Sequence, residues 1–341
     1  MDATTAAFLV QDGIVNGALY ALLALCLVLV FAVTRVVLIP QGEFVTFGAL
    51  TYAALNEGRA SGAVWLLGAL GVAGFVLGLL RERRSAWPRL ALACLGLPAL
   101  AIAAALGLAP RHPGPGGAAL LAILLVTPMG PLIYRVAFQP LARASVLVLL
   151  IAAVGVHLAL TGLGLLMFGA EGARGASFGG GQWAVGPLIV TEQQVWVVGT
   201  ALALMAGLGV FFGVTLVGRA LRATAQNRLG ARLVGIETEA AGRLAFTMAA
   251  FIGAVSGVLI APLTTVYFDS GFVIGLKEFV AAIFGGMASY PVAALAALGV
   301  GNVESFAAFW ASPFKEAIVF ALIIPVLLWR TVSHGAAEAE E

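Results

Sequence analysis

The sequence predicts an all-α polytopic membrane protein, a bundle of about eleven transmembrane segments, some of them broken or re-entrant. Two compositional observations point there. Apolar residues make up 62% of the 341 and charged residues only 10%, against roughly 25% charged in a soluble domain, and mean hydropathy is +1.06. A third observation is spacing. Runs free of Asp, Glu, Lys and Arg recur along the chain, each near the ~20 residues that span a hydrocarbon core. Since no stretch is long and polar enough for a separate soluble domain, residues 1–335 read as a single transmembrane domain. The acidic end, 336–341, reads as a disordered tail.

The first run, 13–34, is closed by Arg35. The segment before it lacks the basic stretch of a cleavable signal, so this run is expected to stay in the mature protein. Near its start Asn16, Gly17 and Ala18 would let a neighbouring helix approach closely. Residues 36–54 are apolar but interrupted by Pro40-Gln41-Gly42-Glu43, the mark of a broken helix whose freed backbone groups must face protein or a cavity. Glu43 is then either a helix-end cap or salt-bridge partner, or a group on a translocation path. A third span, 60–80, ends in the cluster Arg81, Arg83, Arg84 and Arg89. Spans over 90–110 and 118–134 follow, joined by a Pro/Gly turn at 111–116. The long uncharged run 145–168 contains His157 with no second titratable group in it. A hydrogen-bonded packing residue is the expectation there, ahead of a proton relay. Residues 169–194 are Gly-rich and polar and form the largest outer loop, with Trp183 and Trp196 suited to the membrane interface.

Apolar runs over 193–218 and 244–268 flank the one sizeable polar insert, 219–243. It holds Arg219, Arg222, Arg228, Arg232 and Arg243 against only Glu237 and Glu239, which assigns it to the cytoplasm. Its charge alone describes a solvated connector. A helical wheel over 219–236 is not cleanly amphipathic, so two short helices broken near Gly230 are expected. Farther on, Gly253-Ala254-Val255-Ser256-Gly257 offers a small-residue face, and Asp269-Ser270-Gly271 turns the chain. Lys277 and Glu278 are expected to head a short or re-entrant helix within 276–290. The acid would complement its dipole and the lysine snorkel outward, or the two would contact a binding protein or substrate. Crossings around Glu304 and over 314–329 complete the bundle, closed by Arg330. With an outside N-terminus, thirteen of the eighteen Lys and Arg fall inside and five outside, the asymmetry that fixes orientation.

Other chemistry is excluded by what the residues are. Cys26 and Cys94 lie in apolar runs without metal-type spacing and read as packed thiols. Both lysines, Lys277 and Lys315, lack a preceding glycine, so there is no phosphate-binding loop. With no HExxH and no nucleophile elbow, this chain is not expected to be an enzyme, to bind a cofactor or metal, or to bind nucleic acid.

Three stretches carry a resemblance. Arg222-Ala223-Thr224-Ala225-Gln226-Asn227, with Ala231 and Gly235-Ile236, resembles the cytoplasmic loop by which permeases of ABC importers dock in their ATPase, most closely those of the branched-chain amino-acid type. Gly42-Glu43-Phe44 with Gly48-Ala49 resembles that family's entry to the second span, and the Lys277 helix with Gly285-Gly286 and Ser289-Tyr290-Pro291 resembles its Gly-Gly-x-x-Ser-x-Pro turn. The hairpin within 81–133 is not part of the family pattern and looks like an insertion. The resemblance implies a non-catalytic permease subunit in a bacterial cytoplasmic membrane, working with two ATPase subunits that carry ATP and Mg. It further implies a second permease subunit, related or identical, and an extracytoplasmic solute-binding protein. It implies ATPase coupling by Arg222, Ala225, Gln226, Asn227, Ala231, Gly235 and Ile236. A path or gate would involve Gln41, Gly42, Glu43, Lys277, Glu278, Gly285 and Gly286. The substrate would be a branched-chain or hydrophobic amino acid or a related small solute. The alternative is a self-contained, ion-coupled transporter or channel, which calls for paired intramembrane acids or an acid with a histidine. Glu43, His157, Glu278 and Glu304 are dispersed along the chain.

Overall fold

The structure, a computed structural model, describes residues 2–81, 87–142, 144–287 and 289–328. Arg83, Arg84, Arg143, Arg330 and the acidic tail therefore lie outside the described residues. Helix α1 spans Ala3–Thr34. It starts ten residues before the charge-free run because the Asp2 carboxylate caps it, accepting from the Thr5 N–H at 2.8 Å. Arg35 ends it in the left-handed region at φ 63°. Residues 36–40 are not helical, and α2 runs Gln41–Asn56 behind Pro40. The expected break is thus real but lies before Gln41, so Gly42 and Glu43 sit in the first turn of α2.

Helix α3 is Ala63–Arg81. The next span, Trp87–Arg111, joins α4 (Trp87–Ala91) to α5 (Leu97–Leu108) through a π-helical turn at Leu92–Gly96. The following one, Gly114–Leu141, contains α6 (Gly114–Val126) and α7 (Met129–Ile133). The outer of these two spans is mostly exposed, whereas Gly114–Leu141 packs against α2 and the later helix 238–260. Gly130 makes this possible, since a Cβ there would meet the Phe246 backbone.

Helix α8 is Val146–Phe168, capped by Ser145. The loop after it forms an antiparallel hairpin, β1 (Gln182–Val185) with β2 (Leu188–Thr191), turning at Gly186 with φ 63°. Among the described residues these two short strands make the only sheet in a largely helical fold. Thr191 and Gln194 make a reciprocal capping box that starts α9, Glu192–Val214. Then come α10 (Leu216–Gln226), α11 (Arg228–Leu233) and α12 (Thr238–Ile260). Helix α13 spans Ser270–Phe284, α14 Tyr290–Trp310 and α15 Lys315–Ala321. Eight helices among the described residues are long and apolar enough to cross a membrane.

The core forms around α2, in which every residue from 41 to 53 is buried. No hydrophobic force draws helices together inside lipid, so close backbone approach must do so. Along α2 a Cβ on Gly257 of α12 would fall on the Val45 carbonyl oxygen, and one on Gly48 would lie 2.7 Å from the Ala254 carbonyl oxygen. The small-residue face of α12 therefore packs as its sequence implies. Likewise Gly13 and Gly17 of α1 meet Gly301 and Leu298 of α14, with the Leu298 Cα 2.7 Å from where a Gly17 Cβ would stand.

Gly257→Ala should destabilise the detergent-solubilised chain by overpacking, about 1–3 kcal/mol. Gly155→Ala, whose Cβ would face open space, should leave thermal unfolding unchanged or slightly delayed. Equal melting of the two variants would remove the α2–α12 crossing from the account of stability.

Candidate translocation path and coupling surface

The α1–α14 crossing brings Tyr20, one turn beyond Gly17, against Glu304. Lys277 of α13 donates to Glu304 Oε1 at 2.5 Å, and the Tyr20 hydroxyl donates to Oε2 at 2.7 Å. The lysine ammonium also lies 5.9 Å from the centroid of the Tyr20 ring. All three side chains are buried, and both carboxylate oxygens are occupied, the condition under which a buried charge is tolerated. The triad stands at the floor of a vestibule of about 770 Å³ that widens past Asp12, Gln194, Asp269 and Lys315. Lys277 does not head its helix or snorkel outward. It sits in the middle of α13, because α13 starts at Ser270, seven residues earlier than expected.

Glu278 follows Lys277 and, at about 100° per residue, points to another side of α13. It is buried within electrostatic reach of Glu43 and lines a cavity of about 250 Å³ with Phe272 and Phe279. Glu43 accepts from or donates to His157 Nδ1 at 2.6 Å, and the His157 ring stacks on Phe272 at 4.9 Å. His157 is thus not a lone histidine. Its partner comes from α2, which reading its own run could not reveal. One oxygen each of Glu43 and Glu278 has no hydrogen-bond partner among the described residues.

The other residues expected on a path divide between this layer and the end of α13. Gln41 Nε2 donates to the Leu23 carbonyl at 2.8 Å across the broken helix. Gly42 lies against the Gly271 backbone, which holds α2 to the start of α13. Gly285 and Gly286 form the turn that ends α13, with φ 63° at Gly286. They lie apart from the vestibule lining.

In the polar loop the chain breaks at Asn227 and not near Gly230. The Asn227 side chain accepts from the Gly230 N–H at 2.8 Å and so caps α11, which leaves Gly230 inside that helix. Gly235 does make a sharp turn, at φ 87°. Arg222, Gln226, Asn227 and Gly235 are exposed, and Ala225 and Ile236 are half-buried. Ala231 is 4% exposed and packs within this chain, so it does not face a partner. What sequence reasoning missed is apolar. Leu229, Leu233 and Val234 are 69%, 81% and 77% exposed, three large side chains that α11 and the turn after it leave unpacked. Their clue was that Leu229 and the Leu233-Val234 pair each directly follow an arginine, Arg228 and Arg232, within a stretch whose charge alone describes a solvated connector.

A helical bundle with a polar vestibule, a buried ion pair at its floor and an apolar-tipped basic loop has the organisation of a membrane permease that works with other subunits. A family model described as branched-chain amino acid transport system / permease component matches residues 9–327, and the chain belongs to that family. It is similar to the high-affinity branched-chain amino acid transport system permease protein LivH of Escherichia coli K12 and of Salmonella typhimurium. Each is 36% identical over 216 residues, which cover 61% of this chain and 70% of the relative. It is also similar to the high-affinity branched-chain amino acid transport system permease protein BraD of Pseudomonas aeruginosa, 31% identical over 229 residues, which cover 64% and 74%. No solved structure matches the chain. The protein is accordingly a multi-pass membrane permease subunit of an ABC importer. The acid–histidine pair that an ion-coupled transporter calls for is present in Glu43 and His157, yet family membership decides between the two classes.

Lys277→Met should strand the Glu304 carboxylate and cost about 3–5 kcal/mol. Replacing the triad together, Lys277→Met with Glu304→Leu and Tyr20→Phe, leaves no buried polar group unmatched. Thermal unfolding of that triple variant should return close to wild type while uptake stays lost. Unfolding no later than that of Lys277→Met alone would contradict a mutually satisfied triad.

Proposed function

We propose that this chain is the translocating subunit of an importer for branched-chain or other hydrophobic amino acids, or a related small solute, in a bacterial cytoplasmic membrane. The observation that carries the reading is the Lys277–Glu304 pair at the floor of the vestibule. An α-amino acid bears one ammonium and one carboxylate, so a site offering both charges can exchange its internal pair for two pairs with the solute, without leaving a net buried charge. The similarity to LivH and BraD supports the substrate class. The path continues from the vestibule along α13 past Glu278, Glu43 and Gln41, with Gly42 at the α2–α13 contact and Gly285-Gly286 as the turn on which α13 moves. An extracytoplasmic binding protein delivers the solute to the vestibule. Two ATPase subunits carry ATP and Mg, in keeping with the lack of a phosphate-binding loop in this sequence, and a second permease chain completes the translocator. The hairpin within 81–133 is an addition to the family scaffold.

Three shorter helical segments, α2, α13 and 315–328, bring the crossings from eight to eleven, with the N-terminus outside and the C-terminus and 219–243 in the cytoplasm. Both native cysteines are buried, so introduced ones report without background. Gly180→Cys should react with an impermeant thiol reagent applied outside, and Arg232→Cys should be shielded. The reverse pattern inverts the orientation.

ATPase docking rests on Arg222, Gln226, Asn227, Gly235 and the exposed Leu229, Leu233 and Val234, with Ala225 and Ile236 beneath them; Ala231 supports the loop from inside. A central apolar contact of this type is worth about 2 kcal/mol or more. Leu233→Asp with Val234→Asp should therefore weaken retention of the ATPase by roughly thirtyfold, with the membrane level of this chain unchanged because neither residue is packed. Undiminished retention and uptake would reduce the loop to a connector.

A further inference from the structure

A crevice of about 860 Å³ opens on the side of the bundle that carries the arginine-rich loop, between the ends of four spans. Arg81 closes α3, Arg89 lies in α4, Arg135 lies near the end of Gly114–Leu141, and Arg243 lies in the second turn of α12. All four line the crevice. Two carboxylates share it, and both are engaged. Glu237 accepts from Arg243 at 3.0 Å and Glu239 from Gln139 at 2.7 Å. Arg81 and Arg89 are exposed and have no ion-pair partner among the described residues. Deeper in the crevice the wall becomes apolar, with Leu77, Leu90 and Ala93.

We propose that this crevice binds the headgroup of an acidic phospholipid. Span ends stand at headgroup depth, so a phosphate there meets Arg81 and Arg89, whose charge no acid among the described residues cancels. The apolar wall below them continues into the hydrocarbon layer and accepts an acyl chain. The span on one side, Trp87–Arg111, is largely unburied by the rest of the chain, and this gives a lipid lateral access without crossing the bundle. Arginine suits the task because its planar fork binds a phosphate through two oxygens. A soluble phosphate compound would use the same guanidiniums but would leave the apolar wall empty. The position of the crevice beside the docking loop makes the bound lipid a tie between α3, α4 and α12.

Native mass spectrometry of the full chain, titrated separately with phosphatidylglycerol, phosphatidylcholine and inorganic pyrophosphate, tests this. Wild type should retain phosphatidylglycerol over phosphatidylcholine and should not retain pyrophosphate. Arg81→Gln with Arg89→Gln should weaken that retention by roughly thirtyfold, each surface charge contributing about fivefold. Arg111→Gln, at the opposite end of the span, should have no effect. If the paired variant does not fold, Arg89→Gln alone is read in the same way, with about a fivefold loss expected. Equal retention of phosphatidylcholine, or unchanged retention in the variants, overturns the proposal. Retention of pyrophosphate as strong as that of the lipid reassigns the crevice to a soluble phosphate compound. Displacement of the lipid when ATPase subunits assemble reassigns it to the subunit contact.

Discussion

Everything polar in this bundle depends on backbones lying against one another without intervening side chains. In lipid the apolar surface of a helix gains nothing by leaving hydrocarbon tails for another helix, so association comes from contact at short range and from interhelical hydrogen bonds. Gly17 and Gly301 set the α1–α14 distance, and Gly48 and Gly257 set that between α2 and α12. Only at such separations can a tyrosine hydroxyl on α1 and a lysine on α13 both reach one carboxylate on α14. Bulkier crossings would move those groups beyond hydrogen-bond reach and leave three polar side chains unmatched in a low-dielectric interior.

The burial of α2 has a related effect. With its whole first turn and middle enclosed, it carries Gln41 and Glu43 to the centre of the protein and requires internal partners for them. Leu23 and His157 supply these. The remaining carboxyl oxygens of Glu43 and Glu278 are left without protein donors among the described residues. Such groups persist where structure elsewhere is stable enough to bear their cost and function needs their chemistry.

The apolar runs were legible in the sequence because a bilayer tolerates few alternatives to a charge-free helix, and the glycine faces were legible because only small residues permit close crossings. The family was recognisable from the order of residues in the polar loop. What could not be read was pairing. Lys277 and Glu304 are 27 positions apart and Glu43 and His157 are 114 apart, and nothing local to either member announces the other. Local boundaries also went to the stronger competitor. Asn227, with a side chain able to cap, ended α10 where glycine had been favoured. A helix start at Lys277 rests on its neighbouring acid complementing the dipole and on the lysine snorkelling outward, and an acid from another helix holds that lysine inside instead. The burial of Ala231 and the exposure of Leu233 and Val234 run against the usual inference from polarity, which puts large apolar side chains inside.

Consecutive positions on one helix have a mechanical implication. Lys277 is tied to α14 through Glu304, which also holds Tyr20 of α1, and its neighbour Glu278 lines the separate cavity beside Phe272 and Phe279, so one helix serves both polar compartments. Turning α13 far enough to release the ammonium from Glu304 sweeps the neighbouring carboxyl through the same angle.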